Sequence, residues 1–167
     1  MKLYLVQHGD ALGKDIDPAR PLSPTGEADV ARMAAFLTQA DVHVVRLLHS
    51  GKTRAQQTAE ILAHSVLRGG TPEAASGLSP NDPQEPLLQD SARWNDDTMI
   101  VGHLPYMTKL VARLVAAQGT QPVVTFRPGT VACLERDENG AWAVAWMLPP
   151  GCLSDQFGEG LSGDGPA

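Results

Sequence analysis

The sequence predicts an α/β fold: a three-layer sandwich with a mixed, mostly parallel central sheet, flanked by helices and finished by a C-terminal β-hairpin. Three observations carry this. Short apolar runs at 3–6, 42–48 and 98–101 each end in a polar cluster, as strands covered on both faces do. Segments with helical spacing of apolar residues alternate with these runs, which implies parallel pairing through helical crossovers. Near the end, Asn139-Gly140 joins two apolar runs, a strong short hairpin signal.

Leu3 to Val6 is the first strand, followed by a polar loop from Gly9 to Leu22. Ser23-Pro24 starts a helix, with a capping oxygen and then a proline where the missing N–H costs nothing. Val30, Met33, Ala34 and Leu37 form its apolar face. Val42 to Leu48 is the second strand, and Thr53 and Gln56 have capping-box spacing for the helix that carries Ala55, Ala59 and Leu62. Residues 64–97, rich in Pro, Gly, Ser and Asp, predict only a short strand near 73–75 and a short helix near 85–92. Thr98 to Val101 is a further strand. Pro105 opens a helix with Met107, Leu110, Val111 and Leu114 on its apolar face and Gly119 past its end. Strands at 130–135 and 142–147 form the hairpin.

With 167 residues the chain fits one domain, expected over 1–150. Residues 151–167 turn to Gly, Ser, Asp and Pro and predict a flexible tail. The net charge of −6 argues against a nucleic-acid surface, which needs a broad basic patch, but allows a local pocket for one phosphate. Neither a secretory signal nor a membrane span is predicted, so a cytoplasmic protein is expected, and a monomer. Cys133 and Cys152 lack metal-ligand spacing, and Cys133 reads as a small buried hydrophobe.

Three motifs share one place in this layout. Gln7-His8-Gly9 follows strand one, His49-Ser50-Gly51-Lys52-Thr53-Arg54 follows strand two, and Gly102-His103 follows a later strand. The carboxyl ends of parallel strands lie along one edge of an open sheet, and that edge holds the site. Two imidazoles and a guanidinium suit phosphate better than metal. Neither histidine has a carboxylate or cysteine at ligand spacing, and an arginine would repel a cation. A planar guanidinium instead matches phosphate oxygens, and a neutral imidazole can attack phosphorus.

These motifs, with Arg20-Pro-Leu-Ser-Pro-Thr-Gly26, Arg54-Ala-Gln-Gln-Thr58-Ala and the terminal hairpin, resemble the histidine phosphatase superfamily (phosphoglycerate mutase-like fold). In particular they resemble the small SixA-type phosphohistidine phosphatases, over roughly residues 2–149. The resemblance implies a metal-independent, cofactor-free phosphatase that acts on a phosphohistidine-bearing partner such as a phosphorelay or phosphotransfer domain. It implies His8 as the phosphorylated nucleophile, Arg54 as the phosphate clamp, His103 as a donor to the phosphoryl group, and Arg20 at the entrance. Gln7, Gly9, Ser50 and Lys52 complete the expected binding set.

Two positions depart from the pattern. Gln7 stands where the family carries arginine, and Ser50-Gly51 replaces Ser-Pro. A charge-assisted bond contributes about 1.5–3 kcal/mol, so its loss corresponds to roughly a 10- to 100-fold fall in rate. Lys52 is near enough in sequence to compensate. A phosphatase for small phosphate esters and a weakly active or non-catalytic phosphate-binding module therefore stay open as alternatives. No residue stands in the context of the carboxylic acid used by larger members. Asp10 is the nearest carboxyl, and a loop-holding role is expected for it. His49 reads as lining or core, His43 and His64 as surface residues, and Trp94, Trp142 and Trp146 as packing residues. Activity is expected to fall as pH drops through the ordinary imidazole range.

Overall fold

The computed structural model describes residues 1–116 and 121–154. Six strands form one mixed sheet: β1 (Lys2–Gln7), β2 (Arg46–His49), β3 (Glu73–Ala74), β4 (Thr98–Gly102), β5 (Val131–Arg136) and β6 (Trp142–Leu148). Their spatial order is β3-β2-β4-β1-β5-β6. The first four are mutually parallel, while β5 and β6 run antiparallel to their neighbours as the hairpin. Around them stand α1 (Pro24–Gln39), α2 (Thr53–Val66), α3 (Glu85–Ser91) and α4 (Tyr106–Ala116).

The continuously apolar strands are buried on both faces, and side-chain alternation sorts them. Tyr4, Val6, Leu47, Met99, Val101 and Cys133 pack with α1 and α2. Leu3, Leu5, Leu48, Ile100 and Leu134 pack with α4 on the opposite face. Three layers result, as expected. Trp146 packs near Tyr4 and Phe36, and Arg46 stacks on Trp94.

Helix α1 starts as its sequence dictates: the Ser23 hydroxyl accepts the Gly26 N–H, Pro24 follows, and Val30, Met33, Ala34 and Leu37 are buried. Elsewhere the boundaries differ from the sequence reading. Strand β2 begins at Arg46 rather than Val42, because Val42 and Val44 fill the core from a connecting segment that touches Leu67 through a single bridge. Lys52, not Thr53, caps α2, and no side-chain bond closes that cap. Gln56 instead donates to Glu60 one turn on, 2.8 Å away.

The hairpin carries a register shift between Cys133 and Leu134, and Gly140 turns with φ of 85°. Past β6 the chain makes a 3-10 turn over Pro150–Cys152, and Leu153 packs against the α1 side of the core. The first residues of the expected tail are therefore structured. Gly119 and residues 155–167 lie outside the described residues. Among the described residues no helix is long and apolar enough to cross a membrane.

Candidate active site

Register builds the site. Gln7 pairs with Gly102 in parallel, so the residues that follow, His8 and His103, leave adjacent strands side by side. The spacing of paired strands, about 4.8 Å, sets the distance between their rings, whose centroids are 4.9 Å apart. The His8 N–H donates to the Gly102 carbonyl at 3.1 Å, extending the ladder one step beyond the strands. Since β2 lies on the other side of β4, its carboxyl end delivers Ser50 to His103.

Helix α2 then brings Arg54 across. Its Nε–H donates to His8 Nε2 at 3.1 Å, while His8 Nδ1 lies 2.7 Å from the Gly9 carbonyl oxygen. A carbonyl can only accept, so the ring proton is on Nδ1 and Nε2 presents its lone pair. The Thr58 hydroxyl fixes this geometry. It accepts the Gly9 N–H at 3.0 Å and donates to the Arg54 carbonyl at 2.7 Å, tying the nucleophile loop to the helix of the arginine.

Both histidines are held neutral. Burial, then the Arg54 and Arg20 charges, push His8 down to about 4, partly offset by the Gly9 bond. Burial, followed by His8, Arg54, Lys52 and Arg20, pushes His103 down to about 3. The Arg54 guanidinium is itself lowered by burial and by Arg20 but stays the cation of the site.

A cavity of about 370 Å³ opens over these groups, lined by Gln7, His8, Asp10, Ala11, Arg20, Arg54, Pro80, His103, Leu104 and Pro128. Of the residues expected from the sequence, Gln7, His8, Arg20, Arg54 and His103 are brought together there. Gly9, Ser50 and Lys52 are not among the lining residues. The Gly9 N–H is committed to Thr58, the Ser50 hydroxyl to His103, and Lys52 is exposed at the start of α2. Arg20 has a left-handed backbone (φ 50°), and its Nε–H donates to the Leu12 carbonyl at 3.2 Å. Two buried atoms on the cavity residues, Gln7 Oε1 and His103 Nδ1, have no hydrogen-bond partner among the described residues.

Asp10 is bound within its own loop. Its Oδ2 accepts from the Ser23 hydroxyl at 2.6 Å, and its carbonyl accepts the Ser23 N–H at 2.9 Å. This is the loop-holding role its position suggested, on a residue that also lines the cavity. Sequence reasoning did not single out Pro80, Leu104 or Pro128: Leu104 directly follows His103, Pro80 lies in the segment 64–97 that no motif resolves, and only Pro128 had no signal tying it to the site. It also overlooked Thr58, whose signal was its place one helical turn after Arg54. His49 is buried and accepts the Gly51 N–H at 3.1 Å, outside the cavity.

Comparison with known proteins agrees with this geometry. The model of the histidine phosphatase superfamily (branch 1) matches residues 3–74, which include His8 and Arg54. The phosphohistidine phosphatase SixA of Escherichia coli K12 is 29% identical over 155 residues, covering 90% of this chain and 94% of that protein. An uncharacterized protein of Picosynechococcus is 36% identical over 166 residues, covering 89% of this chain and all of its own length. A solved structure of the protein histidine phosphatase SixA with tungstate superposes with a TM-score of 0.79 at 28% identity, over 91% of this chain and 99% of that one. Sheet order, paired strand-end histidines and near-full-length similarity thus converge: this chain is a phosphatase belonging to the histidine phosphatase superfamily, in its small SixA-like group.

Proposed function

We propose that this chain dephosphorylates phosphohistidine on a partner protein, such as a phosphorelay or phosphotransfer domain, by way of a phosphorylated His8. The observation that carries this reading is the pair of contacts on the His8 ring: Nδ1 lies against the Gly9 carbonyl, which places the proton there, and the unprotonated Nε2 accepts from Arg54, the group that would clamp the phosphate. The Nε2 lone pair attacks phosphorus, and the bond from phosphorus to the substrate nitrogen breaks. With its other nitrogen protonated, the substrate ring departs as neutral imidazole. The second step mirrors the first. Water attacks phosphorus, the bond to Nε2 breaks, and His8, still carrying its Nδ1 proton, leaves as a neutral ring. Inorganic phosphate takes the remaining proton.

Neither step asks a carboxylic acid to protonate a leaving oxygen, or draws on a cofactor. Arg54, with Arg20 also lining the cavity and His103 beside His8, balances charge on the nonbridging oxygens. A partner protein is supported by the relative of known activity and by Leu104, a 37% exposed apolar residue on the cavity wall.

The test is turnover of a phosphohistidine peptide beside p-nitrophenyl phosphate, with and without chelator. We expect the peptide to be strongly preferred, chelator to have no effect, and acid-labile radiolabel to be trapped on His8. His8→Ala should abolish turnover, and His103→Ala should slow it on the order of 100-fold. Preference for the ester would turn the reading to small phosphate esters. Phosphate binding without turnover would turn it to a binding module.

A further inference from the structure

We propose that Ser50 is a positioning residue whose hydroxyl donates to His103 Nε2, so that Nδ1–H of His103 is the donor offered to the phosphoryl group. The inference rests on the phosphatase reading above, and it gives Ser50 a role exerted through His103 rather than on phosphate.

Ser50 Oγ and His103 Nε2 are 2.6 Å apart, and no other hydrogen bond of that hydroxyl is found among the described residues. His103 is 2% exposed and its Nδ1 has no partner. Burial and the surrounding cations keep the ring neutral, so two nitrogens share one proton. If Nε2 carried it, the Ser50 hydrogen would have no acceptor among the described residues, and His103, which lines the cavity, would offer an arriving anion a lone pair instead of a donor. With the proton on Nδ1, the hydroxyl is satisfied by Nε2, and what this pair leaves unmet is a donor's need. An arriving phosphoryl oxygen meets that need. A buried polar atom left without a partner is costly, and here the cost is removed by the ligand.

His8 supplies the contrast. There an acceptor-only carbonyl fixes the tautomer and frees a lone pair. At His103 a hydroxyl, able to donate, frees an N–H. Two neutral imidazoles with centroids 4.9 Å apart thereby receive opposite duties from their second hydrogen-bond partners.

The test reads the tautomer directly. Long-range ¹H–¹⁵N correlation spectra of ¹⁵N-histidine-labelled protein should show His103 as the Nδ1–H form in the parent and in Ser50→Thr. In Ser50→Ala the signal should move toward the Nε2–H form. In parallel, affinity for inorganic phosphate should fall about 10-fold in Ser50→Ala, with a similar fall in the rate of phosphoenzyme formation. Ser50→Thr should restore both. Observing the Nε2–H form in the parent, or an unchanged His103 tautomer in Ser50→Ala, would overturn the proposal. So would failure of Ser50→Thr to restore phosphate affinity while His103 keeps the Nδ1–H form. The spectra need no substrate, so a failure of the phosphohistidine reading would appear only in turnover and labelling, and the two outcomes are separable.

Discussion

Arg54 reaches His8 through its Nε–H at 3.1 Å, which puts a permanent cation against the lone pair that meets phosphorus. The same contact that readies the clamp adds to burial, the larger effect, in keeping the nucleophile unprotonated.

The pH profile follows. With His8 pushed down to about 4, the neutral, attacking form persists well below the ordinary imidazole value of 6.5. The fall in activity expected from an unperturbed histidine therefore moves to a limb near pH 4. The acid limb of the rate, corrected for spontaneous hydrolysis, should be half lost near the shifted value rather than near 6.5. A midpoint near 6.5 would mean that the Arg54 and burial effects are absent in solution. Stability should respond in the same direction. The unfolded chain takes up its proton near 6.5 while the native ring resists to about 4, so the contribution is full above 6.5 and declines as pH falls through that window.

Removing the Thr58 hydroxyl should separate the nucleophile loop from α2. Thr58→Val keeps the shape but leaves the buried Gly9 N–H unpaired, at a cost of about 1–3 kcal/mol. We expect a lower urea midpoint together with a fall in kcat, and recovery of both in Thr58→Ser. A Thr58→Val protein with unchanged kcat would show that the link holds the fold but not the nucleophile.

Gly26 leaves no room for a side chain, because a Cβ there would strike the Asp10 carbonyl oxygen and backbone. Gly26→Ala should displace the Asp10–Ser23 contact and cost about 2–3 kcal/mol, as overpacking does. Urea denaturation would detect it, and a change below about 0.5 kcal/mol, the level of an indifferent surface substitution, would contradict the packing.

Gln7→Arg should raise kcat/KM about 10-fold by adding a charged donor to the cavity wall. Sequence proximity suggested that Lys52 shares this task. Lys52 is exposed and outside the cavity lining, but its charge acts on His103, so the gain should be larger in Lys52→Ala than in the parent. Such non-additivity in a double-mutant cycle is expected for cations that act on the same site, and strictly additive effects would show that Lys52 plays no part in it. Loss of activity in both backgrounds would identify Gln7 as adapted to this pocket.

The legible parts of the sequence were those where one residue type has one physical reading. Apolar runs ending at Gln7-His8 and Gly102-His103 located two strands and the edge that carries the histidines. Ser23-Pro24 fixed the start of α1, and Asn139-Gly140 fixed the hairpin. What escaped depends on tertiary packing. Val42 and Val44 have strand chemistry but serve as core plugs outside the ladder. Thr53 has a capping side chain, yet the chain enters α2 one residue earlier. Gly9, Ser50 and Lys52 sit in the right motifs, but only the fold decides whether an N–H or hydroxyl is free or already engaged. Pro80 and Pro128 reach the cavity from loops whose paths the local sequence does not specify.

The sheet order described above also leaves two margins, and both are poor templates for another strand. On one side β3 is two residues long and follows Pro72, which has no N–H to offer. On the other, β6 is broken by the register shift opposite Cys133/Leu134 and runs into Pro149-Pro150. A chain approaching either margin finds only a short or interrupted ladder. The architecture that gathers the histidines at one end thus also ends the sheet after six strands, and discourages molecules held at high concentration from joining edge to edge.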